Sequence, residues 1–309
     1  MDSVKRFGSK TPVAAEQDKV QPSAQPYIYR PEQSTSFEAG VAALRQAGRQ
    51  VIEAPVDNTS AAVVPRILAA AEQAGLPFQP YQIDIAGYGQ YFEQAGYRQQ
   101  YAEYYRGNQP EKSLEHYVAL QLLDIHSEDV FVDLASEHSP IPEIYQRLTG
   151  ATSYSQDIMY AEGIQGNQIG GDACAMPVPD GFMTKATLTC SIEHFEGEAD
   201  SKLFQELARV LRPGGKVCIV PFYVFTEPTT QTDPTVSVPA GVEFDAEVPL
   251  HCAQGWGNRH GRFYSPESFA QRVIAPVQEQ FKFEFYYLEN AAAVEPSVYA
   301  RFAVLATRL

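Results

Sequence analysis

The chain has 309 residues, with 38 Asp+Glu against 23 Lys+Arg, a net charge of −15 and 44 % hydrophobic residues. So acidic a chain offers no basic stripe to displace the counterions of a nucleic acid, and no run approaches the roughly 20 apolar residues of a membrane span. The first 26 residues carry no apolar signal core and the 4 cysteines show no paired spacing, which points to a cytoplasmic protein with reduced thiols.

Residues 1–35 read as a disordered segment. Pro12, Pro22, Pro26 and Pro31 break any helix, and Gln, Ser and Lys fill the gaps without a period. Residues 36–112 read as a helical cap. Phe37, Val41, Leu44 and Ala47 keep helical spacing behind Ser36 as a cap. Val63, Val64, Ile67, Leu68 and Ala71 mark a second helix over 60–74, which Gly75 would stop. An aromatic stretch follows: Tyr81, Tyr88, Tyr91, Phe92, Tyr97, Tyr101, Tyr104 and Tyr105. It suits packing on a neighbouring layer, and it suits the lining of a substrate cleft, because Tyr offers flat apolar area with a polar tip.

From residue 113 an α/β alternation begins. A helix through Leu114, Tyr117, Val118 and Leu123 precedes the apolar strand 130–134; a helix over 140–148 precedes weaker strands near 151–154 and before Asp172. Residues 185–190 read as a fourth strand, 201–211 as a helix stopped by Arg212-Pro213-Gly214-Gly215, and 216–220 as a fifth, fully buried strand. A long irregular insertion, 221–264, is rich in Pro, Thr and acids. Ser265-Pro266-Glu267 opens another helix, and 281–288 and 299–307 close the chain as strands. The fold class is therefore α/β, a doubly wound, mostly parallel sheet over 113–309 with an N-terminal helical cap.

Open sheets of this kind bind ligands beyond the carboxyl ends of their strands. The first core strand runs into Asp133-Leu134-Ala135-Ser136-Glu137-His138-Ser139-Pro140, which holds no glycine. Pro140 and Pro142 also remove two N–H groups that a phosphate would use. A nicotinamide dinucleotide or nucleoside triphosphate is a poor fit. Acids nevertheless stand at three successive strand ends. Asp157 follows Asp133 at the spacing of a ribose-binding acid, and Asp172 with Ala173 follows the third strand, where a side chain can reach an adenine edge.

These residues, with 171–181, Ser191-Ile192-Glu193-His194-Phe195 and 206–215, resemble the class I S-adenosylmethionine-dependent methyltransferases, a Rossmann-like family. The resemblance covers about residues 113–309 and departs from the family at Ala135–Ser139, where a glycine-rich turn is usual. It implies S-adenosylmethionine as cofactor. Asp133, Ala135 and Ser136 would flank its methionine end, Asp157 its ribose, Asp172 and Ala173 its adenine, and Cys190 and Ser191 would lie below the methyl group.

Methyl transfer from a sulfonium needs mainly in-line positioning, although a hydroxyl acceptor benefits from a general base. His194 and His260 are the candidate catalytic residues, His194 reading equally as a capping histidine. Residues 251–264 hold the only Trp and a dense set of donors; with Tyr105, the residues Trp256, Asn258, Arg259 and Tyr264 are candidates for substrate binding. A self-satisfied loop is the plain alternative there. His251, Cys252 and His260 match no structural zinc spacing, so no metal is expected. Two readings stand: a methyltransferase acting on a small polar molecule or a glycan-type hydroxyl or amine, or a non-catalytic binding or regulatory protein of the same fold.

Overall fold

The computed structural model describes residues 34–309. The expectation of disorder over 1–35 falls, apart from Ser34 and Thr35, outside the described residues. The strands are β1 (Val51–Ile52), β2 (Phe78–Tyr81), β3 (Val130–Leu134), β4 (Thr152–Gln165), β5 (Gln168–Gly170) and β6 (Met183–Leu188). They continue as β7 (Leu211–Ile219), β8 (Thr229–Thr232), β9 (Leu250–Cys252), β10 (Gly261–Phe263), β11 (Phe281–Leu288) and β12 (Phe302–Arg308). Eight of them form the main sheet in the order β2-β11-β12-β7-β6-β3-β4-β5, and β1-β9-β8-β10 form a second, smaller sheet.

Pairing from β4 through β3 and β6 to β7 is parallel, and β12 enters antiparallel between β7 and β11. The strands are apolar on both faces, and their two-residue period sorts those faces. Val132, Leu134, Val217, Ile219 and Val304 pack against Leu203, Phe204 and Leu207 of the Ala199–Val210 helix. Phe131, Cys218 and Leu305 pack on the other side, against Leu114 and Val118 of the Gln109–Leu123 helix and Ile144 and Tyr145 of the Ile141–Thr149 helix. A sheet covered on both faces, with parallel strands joined by helices, is the doubly wound fold expected.

Two expectations need correction. The 36–112 segment is not purely helical: Phe78–Tyr81 pairs in parallel with β11 and extends the main sheet, because Phe78 has Phe285 and Phe302 to pack on. Nor is 221–264 irregular. It supplies β8, β9 and β10, which with β1 build the smaller sheet, and Val41 and Leu44 of the Phe37–Gln46 helix cover it with Leu250. Short strands split by Pro and Thr leave no periodic signal. The Arg212–Gly215 breaker does follow the end of the helix at Val210, as expected. It lies inside β7, where Gly214 takes φ +77 and the register against β6 slips between Met183 and Lys185.

Candidate active site

The order of the sheet reverses at β3. The chain steps outward to β4 and β5 on one side, then returns to β6 and β7 on the other. The carboxyl ends of β3 and β6 therefore flank the point where two connections part, which is where open α/β sheets leave a crevice. A cavity of about 710 Å³ lies there. Its lining includes Asp133, Ala135 to Ser139, Thr189 and Cys190 from the sheet side, with Gln99 to Tyr105 and Lys112 facing them.

The turn after β3 lacks glycine but keeps a glycine-like backbone. Ala135 has φ 50 and Glu137 φ 47, both left-handed. That conformation costs an ordinary residue about 1–2 kcal/mol, so something must hold it. Gln156 does part of this work: its side-chain oxygen accepts from Ala135 N at 3.2 Å and its carbonyl from Ser136 N at 2.9 Å. Asp157 accepts from Glu137 N at 2.8 Å and from Met159 N at 2.9 Å. The Tyr160 hydroxyl donates to the Glu137 carbonyl at 2.6 Å. The end of β4 thus fixes the turn by side chains where a glycine-rich sequence would adopt it without strain.

Asp133 is 1 % exposed. Its Oδ1 accepts from the Thr187 hydroxyl at 2.7 Å, and its Oδ2 has no hydrogen-bond partner. Burial pushes its carboxyl up to about 6, against the pull of the Thr187 and Ser139 hydroxyls and with some help from Asp157. Thr189 Oγ1, in the same lining, is also without a partner.

Behind the lining lies a buried charged group. Lys112 Nζ sits 3.1 Å from Glu115 Oε2 and 2.7 Å from Cys190 Sγ, under the Tyr105 ring at 5.0 Å. The Lys112 side chain is 5 % exposed and that of Glu115 0 %. Burial opposes the ammonium, but Cys190 and Glu115 outweigh it and keep Lys112 charged. Burial raises Glu115, and Glu111 one turn earlier adds to the rise. Glu111 itself accepts from Tyr299 N and Ala300 N, at 2.6 and 3.0 Å, tying the helix to the loop before β12.

The cavity brings together Asp133, Ala135, Ser136, Cys190 and Tyr105 from the expected set. Asp157, Asp172, Ala173 and Ser191 do not line it. Asp172 is exposed and accepts from Cys174 N at 2.8 Å, while Ala173 and Ser191 are buried. The histidines lie to one side. His194 Nδ1 meets the His260 carbonyl at 2.5 Å, and its ring packs on Trp256. His260 is 1 % exposed, and burial, reinforced by Arg262 and His194, lowers it to about 4. Arg259 pairs with Glu196 at 2.7 Å, and the Asn258 carbonyl accepts from Asp233 N at 2.9 Å. The Tyr264 hydroxyl donates to Asp200 at 2.9 Å, where Arg262 and Arg272 converge on the same carboxylate. Trp256, Asn258, Arg259, His260 and Tyr264 thus serve the small sheet and its seam with the main one.

Reasoning from sequence missed Lys112, Glu115, Gln156 and Tyr160. The Gln109–Leu123 helix buries Glu111, Lys112, Ser113, Glu115 and His116 along with its apolar residues, so a polar face marked the site where it would ordinarily mark solvent. No signal identifies such a face in advance.

Residues 121–219 match a family model described as a methyltransferase domain. That segment runs from the end of the Gln109–Leu123 helix through β7, and for it the match bears out the methyltransferase resemblance. No curated protein matches the chain. Among solved structures, the Burkholderia thailandensis 1,6-didemethyltoxoflavin-N1-methyltransferase, solved with bound 1,6-didemethyltoxoflavin and S-adenosylhomocysteine, is 11 % identical with a TM-score of 0.42. The alignment covers 75 % of this chain and 93 % of that one. The geranyl diphosphate C-methyltransferase of Streptomyces coelicolor A3(2) is 12 % identical with a TM-score of 0.38, over 63 % of this chain and 80 % of that one. Likenesses this distant carry nothing about reaction or substrate.

Proposed function

From a chain whose residues 121–219 match a methyltransferase domain, we propose an S-adenosylmethionine-dependent methyltransferase acting on a small polar acceptor. The observation that carries this reading is the left-handed backbone at Ala135 and Glu137 beside a 710 Å³ cavity at the switch in strand order. The turn lines the cavity in the shape a glycine-rich sequence would take, and its Ala and Ser add little bulk.

S-adenosylmethionine, when bound, supplies a methyl group on a sulfonium that is already a good leaving group. Asp133, Ala135 and Ser136 would hold its methionine end, with Thr189 and Cys190 on the floor. Asp133 Oδ2 and Thr189 Oγ1, buried without partners, are the polar atoms a ligand would satisfy. The acids suit a cationic cofactor and need no phosphate cradle. Asp157 would take the ribose hydroxyls only by sharing the carboxylate it now gives to Glu137 N and Met159 N. Tyr101, Tyr104 and Tyr105, facing the turn across the cavity, would contact the acceptor and exclude water.

A second reading, a binding protein of this fold without turnover, draws on the same two bonds of Asp157, which occupy the ribose-binding acid. Methyl-labelled S-adenosylmethionine incubated with a panel of small amines, hydroxy acids and sugars separates the two. Label in a small-molecule product supports the enzyme; cofactor retained on the protein with no labelled product favours the binding protein.

A further inference from the structure

The floor of the cavity brings a lysine and a cysteine closer than a hydrogen bond between them requires. Lys112 Nζ lies 2.7 Å from Cys190 Sγ, the length of an ordinary N–H···O bond although sulfur is the larger acceptor. Glu115 holds both groups in place, with Oε2 3.1 Å from the nitrogen and Oε1 3.4 Å from the sulfur. The Tyr223 hydroxyl approaches the same sulfur at 3.5 Å. Lys112 and Glu115 are almost wholly buried, so neither chain swings away from the contact. Cys190 and Lys112 nevertheless line the cavity, beside the unpartnered Thr189 Oγ1 and Asp133 Oδ2, so a small molecule entering the cleft reaches the sulfur. Cys218, by contrast, is buried and has burial alone acting on its thiol.

We propose that Lys112 and Cys190 are the site of an oxidative crosslink, an N–O–S bridge formed with dioxygen, which ties the Gln109–Leu123 helix to the end of β6. The separation suits one bridging atom. Glu115 first takes a proton from the ammonium, leaving a neutral amine beside the thiol. The O–O bond of dioxygen then breaks. One oxygen is inserted between Nζ and Sγ, forming an N–O and an O–S bond; the other leaves as water with the thiol hydrogen and one amine hydrogen. The pair loses four electrons and dioxygen gains four. A cysteine without the amine would instead climb to sulfinic and sulfonic acids. Lys112 carries the one ammonium among the described lining residues, so the bridge replaces a charge in the cleft with a neutral nitrogen and fixes its floor.

This rests on the geometry of the pair and stands whether or not the chain transfers methyl groups. The full-length protein, purified under dithiothreitol, is divided into an anaerobic and an air-equilibrated portion, digested and analysed by accurate mass. The air-exposed sample should yield one peptide joining residues 112 and 190, heavier by one oxygen and lighter by two hydrogens. It should vanish on renewed dithiothreitol, and be absent from Lys112→Arg and Cys190→Ser proteins. Unlinked peptides from air-exposed wild-type protein, whether Cys190 is intact or carries sulfinic or sulfonic acid, would overturn the proposal. A link lacking the oxygen would overturn it too.

Discussion

The amide of Glu137 donates to the carboxylate of Asp157 at 2.8 Å, so the end of β4 holds the turn that follows β3. Asp157→Ala removes the carboxylate to which the amides of Glu137 and Met159 donate, at a cost of about 1–3 kcal/mol for each bond lost where water cannot replace it. Calorimetry should show a lower Tm, together with weaker binding of S-adenosylhomocysteine. Asp157→Asn keeps one acceptor oxygen and should fall between. An Ala variant that melts and binds like wild type would remove Asp157 from both roles.

Glu137 occupies a left-handed conformation that only glycine adopts freely. Glu137→Gly relieves about 1–2 kcal/mol of strain and gives back up to about 1 kcal/mol through the freer unfolded chain. The expected outcome is a Tm equal to or above wild type with ligand binding retained. Glu137→Val, branched at Cβ, should lower the Tm by several degrees. If Gly destabilises more than Val, the turn is not strained in this way.

Asp133 gives a dependence on pH with a definite sign. Its carboxyl is raised from 3.8 to about 6 in the folded chain, so between those values the folded state binds more protons than the unfolded one. Stability from this group therefore falls as pH rises through that window, by at most about 3 kcal/mol. Asp133→Asn keeps an oxygen for the Thr187 hydroxyl and removes the titration. The wild type should lose stability relative to the Asn variant from pH 4 to 6 in urea titrations. Glu111, Glu115 and Glu193 are raised as well, so the difference between the two proteins is the quantity to read. A constant difference would contradict the assignment.

Lys112 and Glu115 form a pair taken almost fully out of water. Removing one partner strands the other, at a cost of about 3–5 kcal/mol, whereas replacing both with apolar residues of similar volume is often close to neutral. Under reducing conditions, Lys112→Met and Glu115→Leu should each destabilise more than the double variant. Additive losses would mean that the two groups do not depend on one another.

Much of the main sheet was legible because its strands are apolar runs at regular spacing between helices with one apolar stripe. Val130–Leu134, Lys216–Ile219 and the Leu203–Val210 stripe left little choice. The small sheet was not legible. Its strands are two to four residues long, and Thr229–Thr232 is polar yet fully buried, held by neighbours distant in sequence such as Pro249. The site divides along the same line. Asp133 is the penultimate residue of β3, Ala135, Ser136 and Cys190 follow strand ends, and all four could be placed by counting. Lys112 and Glu115 belong to a helix whose polar residues face inward, and Trp256 and Arg259, read as binding residues from their type, lie against His194 and Glu196.

The central claim is that the crevice bounded by Asp133, Ala135, Ser136 and Cys190 accepts S-adenosylmethionine. Isothermal titration of the reduced full-length protein with S-adenosylhomocysteine tests it most directly. The account predicts one saturable site per chain, and at 100 Kd of ligand a stabilisation of about 2.7 kcal/mol that scanning calorimetry detects independently. No heat and no shift in Tm at millimolar ligand would contradict it.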